Sequence, residues 1–133
     1  MTQPGRDGRA RVRVLVVDDD PDMRVIERLS LAQDPRFVIV AEAGDGSEAI
    51  TAASRTQPDI VLLDLAMPLM GGMEALPLIC KAAPGSRVIM LSAYPAERHA
   101  PEALALGAAA YLDKRSVPQL AAILGRMCDS SER

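Results

Sequence analysis

Aromatic side chains are almost missing from this sequence: one Phe, two Tyr and no Trp. A core without them has to be filled by Val, Leu, Ile, Ala and Met, which suits helices layered on a sheet. Histidine occurs once, at His99, with no second ligand at metal-binding spacing, so it reads as a surface helix residue. Cys80 and Cys128 are the only cysteines, and neither belongs to a CxxC or His/Cys cluster. They read as free, partly buried thiols, as in a reducing cytosol, and a cytoplasmic location is the expectation. The net charge is only -3, which excludes any global attraction to nucleic acid or to an anionic membrane. Arg6, Arg9, Arg11 and Arg13 are not followed by an apolar stretch of signal-peptide or membrane-spanning length, which argues against secretion and membrane insertion.

What is present is 133 residues with 49% hydrophobic content, enough for one domain with a proper core and little room for a second. Residues 1–11, with Pro4, Gly5 and Gly8, have no apolar period and read as a disordered leader. From Val12 the chain alternates short β-branched runs with longer amphipathic ones, the signature of βα units around a parallel sheet. Strands are expected at about 12–17, 37–42, 59–63, 87–91 and 109–112. The first helix starts at Asp20-Pro21, a cap followed by a residue that needs no amide donor, and carries Val25, Ile26 and Leu29 on one face. A second helix opens near Gly46-Ser47 and ends before Pro58. In the third, Pro77 predicts an irregular or kinked first turn, and the fourth is expected to begin at Pro101. Leu120, Ile123, Leu124 and Met127 give the last helix an apolar stripe, and 129–133 reads as a flexible tail.

The chemistry is concentrated at strand ends. Val14-Leu15-Val16-Val17 runs directly into Asp18-Asp19-Asp20, and Ile60-Val61-Leu62-Leu63 into Asp64. The carboxyl ends of strands in open α/β sheets are where ligands bind, so these acids should converge. Two carboxylates about 5 Å apart repel by roughly 3 kcal/mol at an effective dielectric near 20, so the cluster requires a cation, shared protons or solvent. Asp20 reads as the helix cap. Met67, Met70, Met73 and Met90 read as core and loop packing.

Four segments in order carry a resemblance: Val14-Leu15-Val16-Val17-Asp18-Asp19, Leu63 through Gly72, Ile89-Met90-Leu91-Ser92-Ala93, and Gly107 through Tyr111-Leu112-Asp113-Lys114. Together they resemble the receiver domains of bacterial two-component response regulators, over about 12–128. The resemblance implies a flavodoxin-like, doubly wound α/β fold: a five-stranded parallel sheet, order 2-1-3-4-5, with helices on both faces. It implies that Asp64 accepts a phosphoryl group from a sensor histidine kinase. Asp18, Asp19, Asp64 and the carbonyl of Ala66 would hold Mg²⁺ (or Mn²⁺), and Lys114 would pair with phosphoryl oxygens. Ser92 and Tyr111 would form the switch, with no enzyme activity beyond slow self-dephosphorylation.

The segment around Ser92, Gly107 and Lys114 looks closest to the branch with helix-turn-helix output domains. A DNA-binding C-terminal domain absent from this chain is therefore expected, together with a homodimer on phosphorylation; the domain itself would not bind nucleic acid. Partners would dock on the first helix and on the surface of helix four, strand five and helix five.

The sequence departs from the family pattern in places. Gly71 stands where many relatives carry an acid, Arg115 where proline is common, so that a cis peptide there cannot be assumed. Ala66 and Tyr94 offer few groups to orient a hydrolytic water. Two rivals are weighed against this reading. In a haloacid-dehalogenase-type phosphohydrolase Asp18 would be the nucleophile of a DxD pair with Asp20, and Asp64 would have no role. A flavodoxin-like nucleotide binder would have to seat phosphate against Asp18 to Asp20, which repel it.

Overall fold

The computed structural model describes residues 11–131. The expected leader lies, apart from the exposed Arg11, outside the described residues. Five strands alternate with five helices: β1 Val12–Val17, α1 Pro21–Leu31, β2 Phe37–Ala43, α2 Gly46–Thr56, β3 Ile60–Asp64, α3 Gly72–Ala82, β4 Arg87–Ser92, α4 Ala96–Ala105, β5 Ala110–Asp113 and α5 Leu120–Ser131, the last preceded by a 3₁₀ segment, Lys114–Gln119. All pairs are parallel, in the order β2-β1-β3-β4-β5.

The strands read as apolar runs because both faces of the sheet are covered. Side chains alternate across β1, and the two cores divide accordingly. Leu15 and Val17 join Val61, Leu63, Val88 and Met90 under α2, α3 and α4. Val14 and Val16 join Ile60, Leu62, Ile89 and Leu91 under α1 and α5, which contribute Leu31, Leu120 and Leu124. With aromatics so scarce, only Phe37 among them reaches the buried core, and aliphatic side chains fill the rest.

The chain winds outward from β1 to β2, then crosses back so that β3 lies on the other side of β1. Such a reversal opens a crevice at the carboxyl ends of the two central strands, because their outgoing connections diverge to opposite faces. Asp18 and Asp64 stand at that crevice.

Several local expectations need correction. Strands β2, β3, β4 and β5 each run one residue further toward their carboxyl ends than expected, which brings Asp64 and Ser92 into the ladder. The apolar face of α1 points outward: Val25, Ile26 and Leu29 are 39%, 47% and 66% exposed, while Glu27, Ser30 and Leu31 are buried. Apolar spacing shows that three residues share a face, not which face meets the sheet. Here Leu31 and the bond from the Ser30 hydroxyl to the Val117 carbonyl fix the rotation.

Helix α4 begins at Ala96, five residues before Pro101, and α3 passes through Pro77 as one helix. Both prolines are exposed, and at the sixth position of its helix each removes one internal hydrogen bond without ending the element. Helix α5 continues to Ser131, three residues into the segment expected to be a flexible tail. No peptide bond is cis among the described residues, the one after Lys114 included.

Candidate functional site

Each acidic residue of the site is placed by a backbone constraint. Asp18 directly follows β1, is 1% exposed, and its Oδ1 accepts the amide of Asp20 at 2.9 Å. Asp20 turns away to start α1: its side chain accepts the amide of Asp22 at 2.9 Å, with Pro21 at the first helical position. Only Asp19, exposed, is left between them to face outward. Asp64 ends β3, is 3% exposed, and accepts the amide of Ala66 at 3.3 Å.

Carboxylate oxygens of Asp18, Asp19 and Asp64 all lie within 4.8 Å of one another. The Lys114 ammonium, just past β5, bridges two of them, 3.0 Å from Asp18 Oδ2 and 3.0 Å from Asp64 Oδ1. Three strand tips thus meet around one cation. Burial, with Asp18 alongside, pushes the Asp64 carboxyl up to about 6 against the opposing pull of Lys114 and the Ala66 amide. Burial works against the Lys114 ammonium, but its hydrogen bonds to Asp18 and Asp64 prevail and raise it. The set is short of positive charge: three carboxylates share one ammonium, and the exposed Asp19 leaves an open side. Hard oxygen donors in this arrangement could hold a metal ion.

Glycine makes the approach of α3 possible. A Cβ on Gly72 would overlap the backbone oxygen of Asp64 and lie 2.9 Å from Leu65 Cα. The Gly72 amide donates instead to the Leu65 carbonyl at 2.8 Å, closing the loop after the aspartate. Within that loop Leu69 adopts φ 67° and is 98% exposed. Gly71 caps α3 with no side-chain bond, the consequence of lacking an acid there.

Ser92 ends β4, 1% exposed, one residue beyond the partner of Asp64 in the ladder. Its Oγ accepts the amide of Tyr94 at 2.9 Å. Tyr111 on β5 is half-buried against the α2/α3/α4 core, and its hydroxyl donates to the Tyr94 carbonyl at 3.3 Å. The ring of Tyr94 meets His99 edge-on at 5.6 Å, so His99 packs on the segment behind Ser92. Asp18, Asp19, Asp64 and Lys114 are therefore brought together, while Ser92 and Tyr111 are joined to each other through Tyr94. Ala66 is exposed beside Asp64.

Two participants escaped the sequence reading. Arg24 donates to the Asp18 carbonyl and holds Glu42 at 3.2 Å, tying α1 to the end of β1. Glu27 is buried on the inner face of α1. Neither belongs to a motif; a charged residue inside an otherwise helical stretch gives no signal of burial.

Comparison with known proteins agrees with this geometry. The family model described as response regulator receiver domain matches residues 14–124. The transcriptional regulatory protein YxjL of Bacillus subtilis is 33% identical over 109 residues, 82% of this chain and 50% of that protein. A protein-glutamate methylesterase/protein-glutamine glutaminase of Thermotoga maritima is 42% identical over 105 residues, 77% of this chain and 30% of that protein. The chain thus spans half or less of these relatives' own length. Among solved structures, the response regulator domain of Thermotoga maritima CheB superposes with a TM-score of 0.79 at 34% identity, over 90% of this chain and 95% of that one. The signal receiver domain of the response regulator NarL from Mycobacterium tuberculosis gives 0.76 at 29% identity, over 87% and 97%.

Proposed function

From the premise that this chain belongs to the response regulator receiver domains, we propose that Asp64 accepts a phosphoryl group from a histidine kinase. The observation that carries the reading is the Lys114 ammonium 3.0 Å from both Asp18 and Asp64 at the tips of separate strands. A carboxylate oxygen of Asp64 bonds to phosphorus as the bond from phosphorus to the donor nitrogen breaks. Lys114 is poised to exchange its carboxylate contacts for phosphoryl oxygens, so its charge is already in place when negative charge spreads over the transferring group. Asp18, Asp19, Asp64 and the Ala66 carbonyl would hold Mg²⁺ or Mn²⁺, and the ion when bound neutralises phosphoryl charge and aligns the donor. The haloacid-dehalogenase reading lacks its second acid, since Asp20 is committed to capping α1, and the family match replaces it.

Ser92 and Tyr111 form the switch. When the Ser92 hydroxyl turns to a phosphoryl oxygen it releases the Tyr94 amide, and the Tyr94 carbonyl that anchors Tyr111 moves with it. The altered surface is α4, β5 and α5. Spontaneous hydrolysis is slow, because Ala66 and Tyr94 present no side-chain carboxylate or amide to orient water. The output is a separate DNA-binding domain regulated by phosphorylation-dependent dimerisation, by analogy with the transcriptional regulators above. The higher identity to the methylesterases favours, as a second reading, a catalytic output domain. No helix among the described residues is long and apolar enough to cross a membrane; a cytoplasmic site of action follows from the kinase partnership.

Intact mass after incubation with acetyl phosphate and Mg²⁺ tests the central step. The wild-type chain should gain one phosphoryl mass and Asp64→Asn none. An equal gain in both defeats the assignment.

A further inference from the structure

Glu27 is the one residue whose buried side-chain oxygens, among the described residues, both lack a hydrogen-bond partner. It is 1% exposed, on the inner face of α1 between Met23 and Leu31. An ionised carboxylate in that position would carry an uncompensated charge in a nearly dry interior, which proteins avoid by keeping the proton. Burial and then Asp18 push this carboxyl up to about 8; Lys114 pulls it down, and Asp64 and Glu42 push it further up.

The charges around Glu27 can be assigned element by element. The charge of Asp18 after β1, of Asp64 on β3 and of Lys114 in the 3₁₀ segment reaches it through space without a direct bond. Glu42 faces it from β2 but is held by Arg24 at 3.2 Å and Arg28 at 2.6 Å, both on α1. Helix α5 turns Leu120, Ala121 and Leu124 inward, while its charged residues Arg126 and Asp129 are exposed. Glu27 therefore feels the charge of the same acids that bound the phosphoacceptor site, with no hydrogen bond to any of them.

We propose that Glu27 is a proton store linked to that site: its carboxyl keeps a proton while the acids are balanced by Lys114 alone and releases it to solvent when a divalent cation binds. Resting on the metal-binding reading of Asp18, Asp19 and Asp64, this makes cation affinity rise with pH through the neutral range. The Glu27 O–H bond breaks, its electron pair stays on the carboxylate and the proton passes to water as positive charge arrives nearby. The reverse linkage also holds: raising the pH favours the loaded state.

Carbon-detected NMR of the full chain, with ¹³C-labelled glutamate, tests this directly. Expected is one carboxyl, missing from Glu27→Gln, that titrates well above the ordinary range of about 4–5 and falls by about one pH unit on addition of Mg²⁺. Glu27→Gln should bind Mg²⁺ with an affinity flat between about pH 7 and 9, where wild type rises several-fold. A second readout avoids the metal. The folded state holds a proton that the unfolded chain has released, so urea stability of wild type should fall as pH rises from 4.5 toward 8; Glu27→Leu should abolish the slope above about pH 6.5, leaving only the part at lower pH that Asp64 contributes. A Glu27 midpoint in the ordinary range overturns the proposal, as does a high midpoint that ignores bound Mg²⁺. If Mg²⁺ fails to bind either protein while Glu27 still titrates high, the fault lies in the reading of the site, and the coupling falls with it.

Discussion

At the scale of single residues the site is an electrostatic balance two positive charges short, with three carboxylates around one ammonium. Asp64 has to be ionised to attack phosphorus, and burial together with Asp18 holds its carboxyl at about 6. The rate of labelling by acetyl phosphate should therefore fall as pH drops through about 6, and saturating Mg²⁺ should move the fall to lower pH by favouring the carboxylate. A pH–rate profile flat down to pH 5 without added metal would contradict this. The same residue contributes to stability in the opposite sense: its raised folded value favours the protonated native state, a contribution present at low pH and lost as pH rises through about 6.

Gly72 is the residue on which the position of Asp64 depends most closely, because α3 begins against the Asp64 carbonyl. Gly72→Ala should cost roughly 3 kcal/mol in urea unfolding and slow labelling at Asp64. Wild-type stability in that variant would show that the loop relaxes freely.

At the scale of elements, α1 separates two demands that usually coincide. Its inner face carries Glu27, Ser30 and Leu31, while its apolar residues Val25, Ile26 and Leu29 lie in solvent. A helix that exposes three aliphatic side chains offers an open face for a protein partner, and the occupant expected there is the phosphoryl donor of the proposed reaction, a histidine kinase. Replacing Val25, Ile26 and Leu29 together by Ser should cost no more than about 1.5–2 kcal/mol, leaving the chain folded. It should leave labelling by acetyl phosphate intact and weaken transfer from the kinase at least tenfold. Loss of both activities together would mean that the face is structural.

The same helix shows where the sequence could be read and where it could not. Its start was legible because Asp20-Pro21 is a cap and first-turn signal with a local cause, but its rotation depends on a bond from Ser30 to Val117, eighty-seven positions away. The prolines of α3 and α4 misled for a related reason. A proline on an exposed face removes one bond, and tertiary packing of Leu76, Ile79 and Ala103 outweighs that loss.

At the scale of the whole molecule the parallel sheet was legible, since runs buried on both faces announce it, whereas the order of its strands came from the family resemblance. The convergence of Asp18, Asp19, Asp64 and Lys114 followed from that topology and from the resemblance together, and neither needed side-chain detail. Glu27 was invisible because an acid pointing inward on an amphipathic helix leaves no periodic trace. The claim on which function rests is that the phosphoryl group ends on Asp64 and nowhere else among the clustered acids. Reducing the acetyl-phosphate-labelled chain with borohydride converts an aspartyl phosphate to homoserine, and peptide sequencing by mass locates it. The account predicts homoserine at position 64 alone; homoserine at position 18 or 19 would contradict it.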